Sequence, residues 1–430
     1  MIVNFGTAHG RCLGLVLVAV SALDSRGAEN WPQWRGPLAN GVAADGDYPV
    51  AFASDQGVAW KAALPGAGCS TPVVWDDSIF VTCGIDGQDG VLCFAMDGRE
   101  RWRRQLGPER LGKHRNGSGS NPSPVTDGEH VVVYFKSETL ACFDFAGREL
   151  WRTNLQQKYG DDTLWWDLGT SPVLAGDRVI VAVMQAGESY LVALDIATGD
   201  VFWKEPRQFE CPQESDQAYT TPQVVSIDGQ EQLVVWGADH LTGHDLATGR
   251  LLWECGGFNP DDQRNWRVIA SPAIERGIAV VPSGRGDFLA GIRLGGDGDV
   301  TPSNRAWEKQ GRALGADVPT PVVRDGLVYV LGDAGRVTCL DVQTGDELWS
   351  DDLPRNRNKF FSSPVLAGDK LYAAREDGMV FVGRVSNEGF ELLAENDMGE
   401  TIIASPVPIR GGLLIRGREH LFRIASGDEL

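Results

Sequence analysis

The amino-acid sequence predicts an all-β protein, an eight-bladed β-propeller of four-stranded blades, and three observations predict it. A Ser/Thr-Pro pair followed by a short apolar run recurs eight times, at Thr71-Pro72, Ser123-Pro124, Ser171-Pro172, Thr221-Pro222, Ser271-Pro272, Thr320-Pro321, Ser363-Pro364 and Ser405-Pro406, with successive prolines 42 to 52 residues apart. A tryptophan recurs with the same period, at Trp60, Trp102, Trp151, Trp203, Trp253, Trp307 and Trp349, and Leu393 stands at the eighth place. Between these marks the chain reads strand, Gly-Asp turn, strand, hairpin, strand, Thr-Gly turn, strand, and after residue 29 no segment sustains a helical period. Four short strands in a unit of about 50 residues form a propeller blade, which buries its faces only against neighbouring blades.

The chain begins with Arg11 ahead of an apolar run from Cys12 to Leu23, then small residues as far as Ala28. The run is too short to span a bilayer and has the charged start, apolar centre and small-residue exit of a secretory signal peptide, assigned to residues 1–28. This predicts an exported protein, periplasmic or secreted, with no transmembrane span after signal removal. Cys12 precedes the apolar run instead of ending it, so no lipoprotein arrangement is expected. The terminal Gly427-Asp-Glu-Leu430 lacks the basic or His residue that opens a retention tail.

Residues 29–56 read as a leader that docks on the propeller edge through Trp31 and Trp34. The propeller follows as one domain over residues 57–426, expected to be a monomer. Its first repeat contributes a single strand around Trp60 and its last, Ser405 to about Ala425, contributes three. The N-terminal strand therefore completes the eighth blade, which removes an exposed sheet edge.

Composition narrows the partners. With 39 basic and 59 acidic side chains the formal charge is −20, which repels nucleic acid and anionic bilayers alike. Among the cysteines after the signal there is no C-x-x-C pair and no adjacent pair, which excludes a structural zinc site and a vicinal disulfide. Cys93, Cys142 and Cys339 share one repeat position and read as small buried side chains. Cys83 and Cys93 are expected to face each other across a hairpin as a disulfide. His240 and His244 read as two exposed turn histidines, not a metal site, and Gly295-Gly-Asp297-Gly-Asp299 as a hairpin turn, not a calcium loop. No nucleophile elbow or phosphate loop is present.

The turn before each Trp carries a family resemblance. Ala193-Leu-Asp195-Ile-Ala-Thr198-Gly199-Asp-Val-Phe-Trp203 matches the A-x-D-x-x-T-G-x-x-x-W docking motif, which Asp245, Thr248, Gly249 and Trp253 repeat, as do Asp341, Thr344, Gly345 and Trp349. On these residues the chain resembles the pyrroloquinoline quinone (PQQ)-like propeller repeat family, and Asn30-Trp31-Pro-Gln-Trp34-Arg35-Gly36-Pro37 resembles the leader of its secreted bacterial members. The resemblance implies that the seven tryptophans are structural and wedge between blades. The family includes quinoprotein dehydrogenases and BamB-type assembly factors. A quinoprotein would need a vicinal disulfide, a Ca²⁺ site, an Asp base and an Arg over the quinone. The missing Cys-Cys pair, and short connections that leave the channel mouth open to water, argue against it. No cofactor is expected, PQQ with Ca²⁺ being the alternative, and no catalytic residue is assigned.

The connections before each Ser/Thr-Pro converge on one face of a propeller. They carry His114, Arg115 and Asn116, then Trp165, Trp166 and Asp167, then Tyr219, Trp266, Arg267 and Asp317, and finally Phe360 and Phe361. Trp166 and Trp266 each lie six residues before their proline and are expected at equivalent places. Such an aromatic and charged funnel suits a peptide loop, a glycan or a small planar ligand, although the same rings would equally serve to pack blade against blade. The expected function is an exported, non-catalytic propeller binding a protein or carbohydrate partner through this face, with a quinoprotein-like dehydrogenase as the alternative.

Overall fold

Apolar runs of three to eight residues, broken by Gly-Asp and Thr-Gly turns, fold as antiparallel hairpins because their turns carry residues that accept a positive φ. In the computed structural model, which describes residues 30–311 and 314–426, these hairpins form eight sheets of four main strands. The signal peptide expected over residues 1–28 and the terminal residues 427–430 lie outside the described residues. Blade 3 is representative, with strands Val173–Ala175, Arg178–Val183, Tyr190–Asp195 and Val201–Pro206 ordered from the channel outward. Its two middle strands are almost wholly buried, since each of their faces meets a neighbouring blade. Helix among the described residues is limited to short pieces such as Leu155–Tyr159 and Thr301–Asn304.

Ring closure follows the predicted arrangement. Val407–Ile409, Gly412–Arg416 and His420–Ala425 form the inner three strands of blade 8, and Val58–Ala63 adds the outer strand in a register running from Val58↔Ile424 to Ala63↔His420.

The recurrent tryptophans join successive blades. The indole N–H of Trp151 donates to the Ile196 carbonyl of the next blade at 2.7 Å, and Trp60, Trp102, Trp203, Trp307 and Trp349 each donate in the same way to the following turn. The turn glycine is doubly constrained: Gly199 sits at φ 75°, and a Cβ there would come 2.7 Å from the Trp151 ring. Asp195 holds the turn by accepting from the amides of Ala197 and Thr198. Across the sheet from every recurrent Trp except Trp60, which pairs with Arg423, the residue is small, and Cys93, Cys142 and Cys339 take this place opposite Trp102, Trp151 and Trp349. All three thiols are fully buried.

Trp253 departs from the pattern. Blade 5 has no Thr-Gly turn to receive it, so its indole donates to Gln232 Oε1 within its own blade at 2.8 Å. Gly298–Asp299 then pairs in parallel with Trp253 and Glu254 as a fifth strand. The Gly295–Asp299 stretch is thus an added edge strand and not a hairpin turn.

Two further expectations are corrected. Cys83 pairs with Gly90, and Cys93 with Phe80, three positions away along the same strand. Side chains three apart on a strand point to opposite faces, and both residues are free thiols. His240 and His244 lie on the strand His240–Asp245, not in a turn. His244 is buried, bonded to the Gly249 carbonyl and the Thr242 hydroxyl, and burial pushes its pKa down to about 3. His240 stacks on Phe209 with ring centroids 3.9 Å apart.

The leader does not dock on the outer edge. Asn30 accepts from the Asp76 amide at the first turn of blade 1, Trp31 bridges Val74, and the Thr126 amide donates to the Pro32 carbonyl. Arg35 then donates to the carbonyls of Pro364 and Pro321, and Val42–Ala43 returns in parallel beside Leu366 and Ala367 of the innermost strand of blade 7. Residues 30–43 therefore form a hairpin inserted into the channel from the face opposite the long connections, with its tip at the level of the Ser/Thr-Pro pairs. Arg35 is buried without a carboxylate partner, which pushes its pKa down to about 9.

Candidate functional site

The Ser/Thr-Pro pairs that mark the repeat build the waist of the channel. The Thr71 amide donates to Ser123 Oγ, the Ser123 amide to Ser171 Oγ, and so on through Thr221, Ser271, Thr320, Ser363 and Ser405, at 2.9–3.2 Å. The Ser405 amide returns to Thr71 Oγ1 at 3.3 Å. Proline at the next position starts the inner strand with φ preset, and it costs no ladder bond there.

Above this ring opens a cavity of about 350 Å³, floored by Trp34 at the tip of the leader. The predicted residues divide. His114, Asn116, Trp166, Asp167, Tyr219, Arg267 and Asp317 line it, with Phe361. Arg115, Trp266 and Phe360 do not. Arg115 points outward to Glu376 at 2.8 Å and is largely exposed. The Trp266 indole donates to the Phe258 carbonyl beside Gly284, so it is not the counterpart of Trp166. Phe360 is buried against Phe381 and Arg375. Identical spacing to proline did not give identical placement because the two loops differ in their own hydrogen bonds.

The mouth is narrower than short connections suggest. Residues 109–121 cross it, held on one side by Asp167, which accepts from the amides of Lys113 and His114 at 2.7 and 2.9 Å and from buried Lys136. On the other side Asn116 Nδ2 donates to Glu376 at 2.7 Å, and Glu376 also accepts from the Lys359 amide. Asp167 is thus a staple for this loop.

The rim is aromatic. The His114 ring lies 6.0 Å from Trp166, edge to face, and 6.1 Å from Phe361, while the Arg267 guanidinium lies 6.0 Å from the Trp166 ring centroid. Trp166 donates to Glu214 Oε1 at 2.8 Å, and its amide donates to the buried Tyr219 hydroxyl. Arg267 reaches Asp317 at 3.3 Å and Glu214 at 3.7 Å. Asp333 accepts from the Asp317 amide, and burial together with the Asp317 charge pushes its pKa up to about 6. Burial also raises Asp317, against the pull of Arg267. Trp34 and Asp333 are the site residues that sequence reasoning missed. The leader motif singled out Trp34 without a direction, and Asp333 lies in a hairpin of blade 6 with no motif of its own.

The fold and the closed ring define a PQQ-like β-propeller. The family model described as outer membrane protein assembly factor BamB matches residues 88–310 and 257–389, and the chain belongs to that family. BamB of Yersinia pestis is 24% identical over 339 residues, covering 76% of this chain and 80% of the relative. BamB of Burkholderia pseudomallei is 24% identical and covers 75% of each. Among solved structures, BamB from Moraxella catarrhalis superposes with a TM-score of 0.61 at 16% identity, over 85% of this chain and 98% of that one. A europium-containing methanol dehydrogenase gives 0.66 at 11% identity, over 91% and 90%. At these identities the structural likeness speaks for the fold alone.

Proposed function

We propose that this chain is an exported, non-catalytic propeller that docks a protein partner in the cell envelope through its loop-bearing face. The observation that carries it is a pair of exposed apolar side chains beside the mouth, Leu111 at 73% and Trp165 at 57% exposure, held by a rigid scaffold. Lys136 donates to the Leu111 carbonyl, and Lys113 bridges the carbonyls of Leu164 and Trp165. Fixed aromatic and aliphatic anchors with a polar surround suit a protein interface. Membership in a family of outer membrane protein assembly factors supports the same reading, and no helix among the described residues is long and apolar enough to cross a membrane.

The dehydrogenase alternative fits the residues less well. PQQ is a tricarboxylate, whereas Arg267 is already flanked by Glu214 and Asp317, and Cys69 stands alone along the wall. No vicinal disulfide can form there.

The test is photo-crosslinking in envelope preparations with a photoreactive residue at position 165 and another at the outer strand position 202. A discrete partner captured from 165 and lost when Leu111→Ser is added supports the interface. Equal capture from both positions, or dye-linked alcohol oxidation by protein given PQQ and Ca²⁺, counts against it.

A further inference from the structure

The cavity beneath the loops has a chemistry that the docking surface does not use. Seven of the eight ring residues line it, Ser271 being the exception. Each ring hydroxyl oxygen is occupied as an acceptor by a neighbouring amide, and among the described residues none donates its own proton to a protein acceptor. A circle of hydroxyl donors is therefore turned on the cavity. Arg267 and Asp317, 3.3 Å apart, also line the cavity, which places a donor group and an acceptor group side by side near the Trp166 ring. Hydroxyl donors around the ring with a guanidinium and a carboxylate at one wall suit a ligand that both donates and accepts hydrogen bonds.

Three classes of ligand can be compared on charge and shape. An organic anion meets Asp317 and Asp333 on the wall. An organic cation meets Arg267 and a ring of donors that offers it nothing. A neutral polyol with an apolar face satisfies every group: its hydroxyls exchange hydrogen bonds with the ring, Arg267 and Asp317, and its C–H face lies on an indole. Trp34 supplies that indole at the floor. Because the leader hairpin closes the lower end of the channel, the site is blind and opens only between the residues of the loop face. A volume of about 350 Å³ falls at the small end of ligand pockets, roughly 300–1,000 Å³, which suits one or two sugar rings.

We infer that the central cavity is a binding site for a neutral mono- or disaccharide, resting on the Trp34 indole and bonded through Arg267, Asp317 and the Ser/Thr ring. The site is independent of the protein interface proposed above, since it lies below the mouth and uses none of Leu111 or Trp165.

Titration of the full chain with methyl glucoside, methyl galactoside, N-acetylglucosamine, maltose and cellobiose, followed by calorimetry and by tryptophan fluorescence, tests this. Binding of at least one sugar at millimolar or lower concentration is expected, with affinity falling at least tenfold in Trp34→Ala and Asp317→Asn. Trp34→Phe should restore part of the affinity lost in Trp34→Ala. If Trp34→Ala does not fold, Asp317→Asn and Arg267→Gln carry the test, checked by an unchanged melting temperature. No response to any of the five sugars at 20 mM, tighter binding of glucuronate or of an alkylamine than of every neutral sugar, or unchanged affinity in both folded variants would overturn the assignment. Failure of position 165 to capture any discrete partner, with sugar binding intact, would leave this site standing and remove the protein-docking reading instead.

Discussion

The Ser405 amide donates to the hydroxyl of Thr71, 334 residues earlier in the chain. That one bond turns a row of repeats into a circle of eight equivalent links. It also explains why the motif alternates freely between Ser and Thr yet never uses a residue without a hydroxyl.

Removing one link should be costly out of proportion to its size. Ser171→Ala leaves the buried Ser123 amide without its acceptor, and the expected loss is about 1–3 kcal/mol of unfolding free energy. Ser171→Thr should be near neutral, since Thr occupies three of the ring positions. Urea denaturation of the two variants separates a hydroxyl requirement from simple packing.

Deletion of residues 29–62 removes both the channel hairpin and the outer strand of blade 8. The remaining protein should aggregate or unfold without a cooperative transition, because His420–Ala425 would become a bare edge. A truncated chain that melts like the parent would refute ring closure by this strand.

The docking tryptophans should not be equal. Trp253 is fully buried, so Trp253→Ala is expected to cost about 3–5 kcal/mol. Trp349 is only partly covered and its following turn lacks the close glycine contact, Gly389 having nothing near it. Trp349→Ala should cost roughly half as much or less. Parallel thermal melts of the two proteins decide the order.

Stability should also respond to pH through Glu138. It is buried, its Oε2 has no partner among the described residues, and burial with the nearby Asp162 charge pushes its pKa up to about 8. A carboxyl whose folded pKa lies above its unfolded value holds its proton longer in the folded state. Its contribution is therefore lost as pH rises from about 4.5 towards 8. Glu138→Gln should match the parent at pH 4.5 and exceed it at pH 8.5, by on the order of 2 kcal/mol. A constant difference across that range would show that Glu138 does not titrate there.

The architecture was legible because propeller repeats write themselves into sequence twice, once in the waist motif and once in the outer turn. Position along the repeat gave the closed propeller, the docking indoles and the buried Cys93, Cys142 and Cys339. The site was legible only in part. His114, Trp166, Tyr219, Arg267 and Asp317 do meet, because every pre-proline connection rises on one face. Arg115 turns away to Glu376, far off in sequence, while Trp266 and Phe360 are drawn to nearer partners, Phe258 and Phe381, that no repeat position marks. The leader was misread because Arg35 finds its acceptors at Pro321 and Pro364, 286 and 329 residues on, and no local pattern announces carbonyls so distant. The expected Cys83–Cys93 bridge failed on parity alone.

The channel hairpin also imposes an order of events on the nascent chain. Residues 30–43 precede every blade, yet their seat includes the carbonyls of Pro321 and Pro364 and the strand beside Leu366, which belong to blades 6 and 7. Until blades 6 and 7 are made only the end of this segment at residues 30–32 has its seat, on blades 1 and 2, and the blades made meanwhile expose a face at each end of the growing arc. Assembly is thus back-loaded: the final clasp needs Val58–Ala63 and His420–Ala425 together, which favours slow folding and a dependence on holding factors until the last blade arrives.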